Sequence, residues 1–194
     1  GQDITGKATR DITKLGICRS FQIPQLFLEL SVIDNALIAL TIAKQDRPVL
    51  FRPAITPALR QEALEVLARF GIEHWAEHEI TTLPQGVRKL VDIAMALIGN
   101  PQMLLLDEPT SGVSMDEKTA LMDTVMNAVR QHGVTVLFVE HDMDVVERYV
   151  SRVLAFYSGE IIADGNPSAV LAEERVRDLV TGHRPTHKKG NGAS

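Results

Sequence analysis

Cysteine is nearly absent: Cys18 is the only one in 194 residues. A lone thiol excludes an internal disulfide framework and suits a reducing compartment. Long apolar runs are missing as well. Val134–Val139 is the short kind of run that a soluble core uses, far from the about 18 residues a membrane-spanning helix needs. No charged-then-apolar leader resembles a signal peptide. A basic excess is also lacking, since 20 Lys and Arg face 25 Asp and Glu for a net charge of −5. That balance argues against a nucleic-acid binder, which normally carries a basic face. These absences together predict a cytosolic protein, brought to a membrane only by a partner. Methionine is missing until Met95 and the chain opens with Gly1, so the sequence is expected to be the C-terminal part of a longer polypeptide.

What is present centres on Met103-Leu104-Leu105-Leu106-Asp107-Glu108-Pro109. Four apolar residues are too few for a helix and too continuous for a half-exposed strand. They predict a parallel strand buried on both faces. Pro109, with no N–H for a ladder, ends it. Asp107 and Glu108 then stand at the C-terminal tip, where open α/β sheets bind ligands. An apolar strand that delivers two carboxylates to such a crevice suits Mg²⁺ and a hydrolytic water.

The remaining elements follow from local signals. Gly1–Ile4 with Thr5-Gly6 predicts the end of a hairpin. Pro24 turns Ile23 away from helical angles, which leaves Gln22 in a loop. Ser31 with Asp34 is a capping box for a helix through Lys44, and Gln45–Ile55 is a Pro-broken connector. Thr56-Pro57 starts a second helix that Gly71 ends. A short loop with Gly86 then leads to a helix using Val91, Ala94, Leu97 and Ile98. Ser114 and Glu117 form another capping box, opening a helix to about Gln131. Val134–Val139 is a buried strand that ends at Glu140-His141, and Asp142–Val150 is a short helix. Leu154–Tyr157 and Glu160–Ala163 pair about Ser158-Gly159. Asn166-Pro167 begins a last helix to about Thr181, and His183–Ser194 is a frayed tail.

Four marks therefore stand in a fixed order: Gln22 in a loop, Leu83-Pro84-Gln85-Gly86 before a helix, Leu104–Pro109, and His141 after the next strand. With these residues the chain resembles the nucleotide-binding subunits of ABC transporters over roughly residues 1–182. The resemblance implies an α/β fold: a P-loop NTPase-like parallel sheet core (about 101–182) with an inserted helical subdomain (about 24–100). The N-terminal strands and P-loop are missing, and residues 183–194 form a flexible tail. It further implies ATP and Mg²⁺ as ligands. Gln22 matches the Q-loop glutamine, and Leu83, Pro84, Gln85 and Gly86 occupy the signature loop. Asp107 and Glu108 match Walker B, Ser111, Gly112, Val113 and Ser114 the D-loop, and His141 the switch histidine.

On that resemblance Asp107, with Gln22, would hold Mg²⁺, and Glu108 would polarise the attacking water as general base. His141 would donate to the γ-phosphate. The signature helix would turn its N-terminal N–H groups toward ATP bound mainly by an opposite subunit. Partners are then a second ATP-binding subunit, transmembrane permease subunits and, indirectly, a substrate-binding protein, with no nucleic acid. The place is the cytoplasmic face of the inner membrane. Residues Gly16–Phe27, Leu30–Val32 and Val139–Met143 are similar to branched-chain amino-acid importers, and urea and amide importers are close relatives. In these importers the helical region after the Q-loop docks on the membrane subunits, so Gln22–Lys44 is the expected contact.

The chain departs from the family pattern in three places. Pro84 stands where a signature serine is usual, and Ser114 where an acidic or amide residue is common. No G-x-x-x-x-G-K-[ST] occurs in the 194 residues. The Walker A loop supplies several charge-assisted hydrogen bonds of about 1.5–3 kcal/mol each. Four of them amount to about 6 kcal/mol, most of the roughly 8 kcal/mol behind micromolar binding. The chain alone is expected to bind ATP negligibly, and Val134–Val139 is expected to form an unprotected sheet edge. A cassette without Walker A could instead be a non-catalytic scaffold, for which Glu108 and His141 have no chemical use. A soluble ABC protein of translation or repair would want a second cassette or a coiled-coil insertion, and neither is visible. His74-Trp75-Ala76-Glu77-His78 matches a zinc pattern, H-x-x-E-H, but without a third ligand it reads as a polar helix end.

Overall fold

The computed structural model describes residues 2–20, 25–44 and 55–181. Gln22, most of the 45–55 connector and the 183–194 tail lie outside the described residues. The chain divides into two compact units between Glu140 and His141.

The first unit begins differently from expectation. Residues 2–8 hold no strand, and Thr5-Gly6 is a turn that leads into α1 (Thr9–Lys14). Asp3 accepts the Thr5 N–H at 2.9 Å, a local bond that closes the turn. β1 (Ile17–Ser20) follows, a strand that no alternation in the sequence announced. α2 (Val32–Lys44) starts where its capping box places it: Ser31 Oγ accepts from Asp34 N at 3.2 Å and donates to Asp34 Oδ2 at 2.6 Å. Two more first-turn donors are satisfied at long range, Val32 N by His78 O (3.0 Å) and Ile33 N by Ala76 O (2.8 Å). α3 (Pro57–Arg69) has Thr56 as its cap, accepting from Leu59 N at 3.2 Å, and Pro57 in its first turn. It packs on α2.

α4 (Gln85–Leu97) starts at Gln85, so Gly86 lies in the first helical turn and not in a loop. Pro84 offers no capping side chain, but its carbonyl accepts from Arg88 N at 3.1 Å, which closes that turn early. β2 (Met103–Asp107), α5 (Met115–His132) and β3 (Thr135–Val139) complete the unit. Ser114 Oγ bonds to the Glu117 carboxylate at 2.6 Å and caps no backbone N–H. Gly133, at φ +63, ends α5 in the left-handed conformation that favours glycine.

The three strands are parallel in the order β1-β2-β3, with Ile17 opposite Met103 and Leu104 opposite Val136. β2 is central, yet its burial alternates. Leu104 and Leu106 are buried while Met103, Leu105 and Asp107 are half-buried. The expected burial on both faces is therefore corrected: the pleat sends successive side chains to opposite faces, and only one is fully covered. The two buried leucines contribute about 1.5–3 kcal/mol each. β3 is an edge strand, and its Thr135, Leu137 and Val139 are exposed. Among the described residues that overturns the expected buried strand.

The second unit holds α6 (Met143–Tyr149), with Asp142 as its N-cap, and the hairpin β4 (Val153–Tyr157) and β5 (Glu160–Gly165). Ser158 (φ +49) and Gly159 (φ +85) make the two-residue turn. α7 (Pro167–Ala172) is capped by Asn166, which accepts from Ser168 N at 3.1 Å. The single helix expected to Thr181 is broken at the extended Glu173, which is followed by the single turn α8 (Glu174–Val176) and a π-turn over Arg177–Thr181. The break has a packing reason. Val170 and Val176 join Ala155 and Ala163 in one small core, whereas six residues along an unbroken helix would turn them to different faces.

Candidate functional site

The site grows from the C-terminal end of β2. Glu108, half-buried, sits at φ +45, a left-handed conformation that costs a non-glycine residue about 1–2 kcal/mol. Its backbone is held from both sides. Its N–H donates to Val139 O at 3.0 Å, and its carbonyl accepts from Ser111 N at 3.0 Å and Lys89 Nζ at 3.2 Å. Two residues on, the buried Thr110 donates N–H (3.0 Å) and hydroxyl (2.5 Å) to Glu140 Oε1. The Glu108–Ser111 turn is thus fastened to the end of β3. Neighbouring structure over-determines the strained backbone, as is usual where strain persists.

Asp107 points to a more open place. Arg19 of β1 donates to its Oδ2 at 2.7 Å, and both side chains are substantially exposed. A pair of that exposure contributes about 1 kcal/mol or less. Among the described residues no group of three or more His, Cys, Asp or Glu could hold a metal ion. A Mg²⁺ ion fits Asp107 by donor chemistry, as a hard cation on a carboxylate, with phosphate oxygens and water completing its shell. It would share that carboxylate with Arg19.

Lys89, on α4, is 1% exposed. Burial pulls its ammonium below the ordinary lysine range, and the carboxylates of Asp92, Glu108, Glu140 and Asp107 pull it back up. Asp92, one turn later, is buried and accepts from Ser20 Oγ and from Gln25 N, the latter at 3.2 Å. Ser20 and Gln25 are the described residues on either side of Gln22.

The signature positions flank this network. Leu83 is buried, Pro84 and Gln85 are exposed, and Gly86 is half-buried. Arg88 folds back to donate to Leu83 O (2.9 Å) and Thr81 O (2.5 Å), which pins the approach to α4. A Cβ added at Gly86 would point inward, to Val113 (3.8 Å) and Leu121 (3.9 Å), and would leave the outer side of the turn unobstructed. Gly112 is more constrained: at φ +74, its added Cβ would lie 2.9 Å from Gln85 Nε2. The signature and D-loop positions therefore meet through Gln85 and Gly112. Val113 is buried and its N–H donates to Thr110 O at 3.2 Å, while Ser114 is the exposed cap of α5.

Within the first unit, Glu108 bonds to Ser111, and the Ser111–Ser114 stretch meets Gln85 and Gly86 through Gly112 and Val113. His141 is the exposed first residue of the second unit, directly after Glu140. His74 and His78 do not share an α-helical face: Glu73–Trp75 is a 3-10 turn, and the Trp75 ring lies 5.3 Å from one imidazole and 5.0 Å from the other. The His78 carbonyl serves the first turn of α2.

Lys89, Asp92, Thr110, Glu140 and Arg19 were not anticipated. For Lys89 and Asp92 a signal existed: Asp92 falls among Val91, Ile93 and Ala94, and Lys89 stands one helical turn before Asp92 and Ile93 on the same buried side. Charges at buried positions are almost always paired. Nothing local to Thr110 or Arg19 names a partner.

Residues 1–111 match the family model described as ABC transporter. The chain is 31% identical over 192 residues to the high-affinity branched-chain amino acid transport ATP-binding protein BraF of Pseudomonas aeruginosa, covering 92% of this chain and 70% of that protein. It is 29% identical over 188 residues to the probable branched-chain amino acid transport ATP-binding protein LivG of Archaeoglobus fulgidus, covering 94% and 72%. The fold matches the crystal structure of an ABC-transporter ATP-binding cassette in its ADP conformation, with a TM-score of 0.75 and 28% identity over 94% of this chain and 75% of that one. A nucleotide-free cassette matches with a TM-score of 0.72 and 27% identity, over 90% and 72%.

Proposed function

The chain belongs to the ABC transporter family, and we propose that it forms the greater part of an importer ATPase subunit that serves branched-chain amino-acid uptake. The observation that carries this reading is the fastened Asp107-Glu108 turn at the tip of a central parallel strand, in a chain about 30% identical to named branched-chain transport subunits.

Each residue has a distinct task. The Glu108 carboxylate takes a proton from the attacking water, and its tightly bonded backbone fixes where that carboxylate starts. Asp107, with Gln22, would hold Mg²⁺, which when bound would neutralise phosphate charge. The first turn of α4, with Leu83, Pro84, Gln85 and Gly86, presents N–H groups to the ATP of a second subunit, so hydrolysis needs a dimer. Ser111–Ser114 carries the D-loop contact across that dimer, and His141 donates to the γ-phosphate. Among the described residues no helix is long and apolar enough to cross a membrane; in this proposal the subunit is peripheral, on the cytoplasmic face, and docks on permease subunits through the region after Gln22.

The test is Glu108→Gln in a subunit that joins these residues to a Walker A loop. Phosphate release is expected to fall about 10²–10⁴-fold, the usual worth of a general base, while ATP still drives dimerisation in gel filtration. Undiminished phosphate release would remove Glu108 from the chemistry.

A further inference from the structure

The two buried charges of α4 reach different partners: Lys89 helps to fasten the Glu108 backbone, and Asp92 has no part in the reading above. Lys89 donates to the Glu108 carbonyl at 3.2 Å, and Asp92 accepts from Ser20 Oγ and, at 3.2 Å, from Gln25 N. They are three residues apart, which puts them one above the other on the same side of the helix. Lys89 is 1% exposed, Asp92 7% and Ser20 5%, so the chain from Ser20 to the Glu108 carbonyl runs almost entirely out of water. On the far side of the Gln25 position, Asn35 also fastens the backbone: Phe27 N donates to its Oδ1 at 2.9 Å, and its amide donates to Phe27 O at 3.2 Å.

We infer that Lys89 and Asp92 are positioning residues that join the backbone of Glu108 to both shoulders of the segment containing Gln22. Taking two opposite charges out of water is a poor route to stability, because apolar residues of similar volume often serve as well or better. What it supplies is a defined geometry: the ammonium is one of two donors that satisfy a carbonyl in the left-handed conformation, and the carboxylate satisfies a hydroxyl and an N–H on either side of one short segment. Displacement of Ser20 or Gln25 bears on Asp92, which stands one turn from Lys89 on the same side of α4 and whose carboxylate favours the charged ammonium. α4 also carries the signature positions at its start, so one rigid helix bears on three parts of the site. The consequence for hydrolysis rests on the role proposed for Glu108. The physical coupling does not, and it is tested without nucleotide.

The experiment uses the isotope-labelled 194-residue chain and reads two ends at once: the ¹³C resonance of the Glu108 carbonyl, and the shift and exchange rate of the Gln25 amide. Lys89→Met is expected to speed Gln25 exchange about tenfold. Asp92→Asn is expected to move the Glu108 carbonyl resonance toward its Lys89→Met position. The double variant should be no worse at either end than the single ones, since residues in one network are not additive. Lys89→Arg, which keeps a charge and donors, should retain more Gln25 protection than Lys89→Met. Val91→Ala, a fully buried neighbour on α4, controls for simple loosening and should leave the carbonyl resonance in place. If the charge variants fail to fold, Ser20→Ala remains: loss of one hydroxyl should still shift the Glu108 carbonyl. Effects confined to the mutated end, or additive in the double variant, overturn the coupling. So does a Ser20→Ala chain in which only residues around 20–25 and 92 respond.

Discussion

The two units of this chain treat the same materials in opposite ways. In the first, Leu104 at the centre of β2 is fully buried, and charge is taken inside with it as Lys89 and Asp92. In the second, Leu154 and Phe156 of β4 are exposed, and the main ion pair, Arg152 with Asp164, lies at the surface with bonds of 2.7 and 2.6 Å. The surface pair is bonded through both carboxylate oxygens, yet it constrains less. Water already solvates both of its partners, so forming the bond changes little. The buried charges have no such alternative, and their partners decide where a functional backbone stands.

The largest effect should come from leucine in the two sheets. Leu104→Ala is expected to cost about 2–5 kcal/mol through lost burial and a residual cavity. Leu154→Ala, at 40% exposure, should cost about 0.5 kcal/mol or less. The single tryptophan, Trp75, reports unfolding of the first unit by fluorescence in urea, and hydrogen exchange resolved by peptide reports the second. Equal costs at the two positions would dissolve the contrast.

A second difference should appear along the pH axis. Burial lowers the Lys89 pKa in the folded chain, whereas the unfolded chain keeps a value of about 10.4. Between those two values the unfolded chain binds more protons, so this group makes stability rise with pH. Lys89→Met should therefore lack an alkaline rise that the parent chain shows, and urea midpoints from pH 7 to 10.5 measure it. A pH-independent gap between the two proteins would mean that the ammonium is not desolvated in the folded state. Asp164 behaves in the reverse sense. Arg152 holds its carboxyl below the usual aspartate range, so whatever it contributes is present above about pH 3.9 and lost as the pH falls through the folded value.

The same division explains how much could be read in the chain. Helix starts were legible at Ser31, Thr56, Asp142 and Asn166 because a cap and its donor are neighbours in sequence. The hairpin about Ser158-Gly159 was legible for the same reason, and the Asp107-Glu108 tip because Leu104–Leu106 and Pro109 bound it on both sides. Partners far apart in sequence were not: Lys89 meets Glu108 nineteen residues on, Ser20 meets Asp92 after seventy-two, and Arg19 meets Asp107 after eighty-eight. β1 escaped because Ile17–Ser20 carries no period of its own and becomes a strand by pairing with Met103–Leu106. The break at Glu173 depends on where a small core needed its valines. Gly86 misled in the other direction, since a glycine read as part of a loop lies in the first turn of α4. Roles named for Gln22 and His141 came from motif order, and they remain proposals about chemistry.

The smallest effect should belong to the best-formed ion pair. Arg152 donates through Nε and one terminal nitrogen to both oxygens of Asp164, beside the register pair Leu154–Asp164 of the hairpin. Its side chain is 68% exposed and that of Asp164 is 41% exposed. Two solvated groups that meet at the surface give up hydration and side-chain freedom for a bond that salt screens. Arg152→Ala should leave exchange protection of β4 and β5 within replicate scatter at pH 7, in low and in 0.5 M salt alike. A salt-sensitive loss confined to these strands would show that two strands with so small a core lean on the pair after all. The hairpin would then depend on charge as the first unit does, with geometry at the surface substituting for burial.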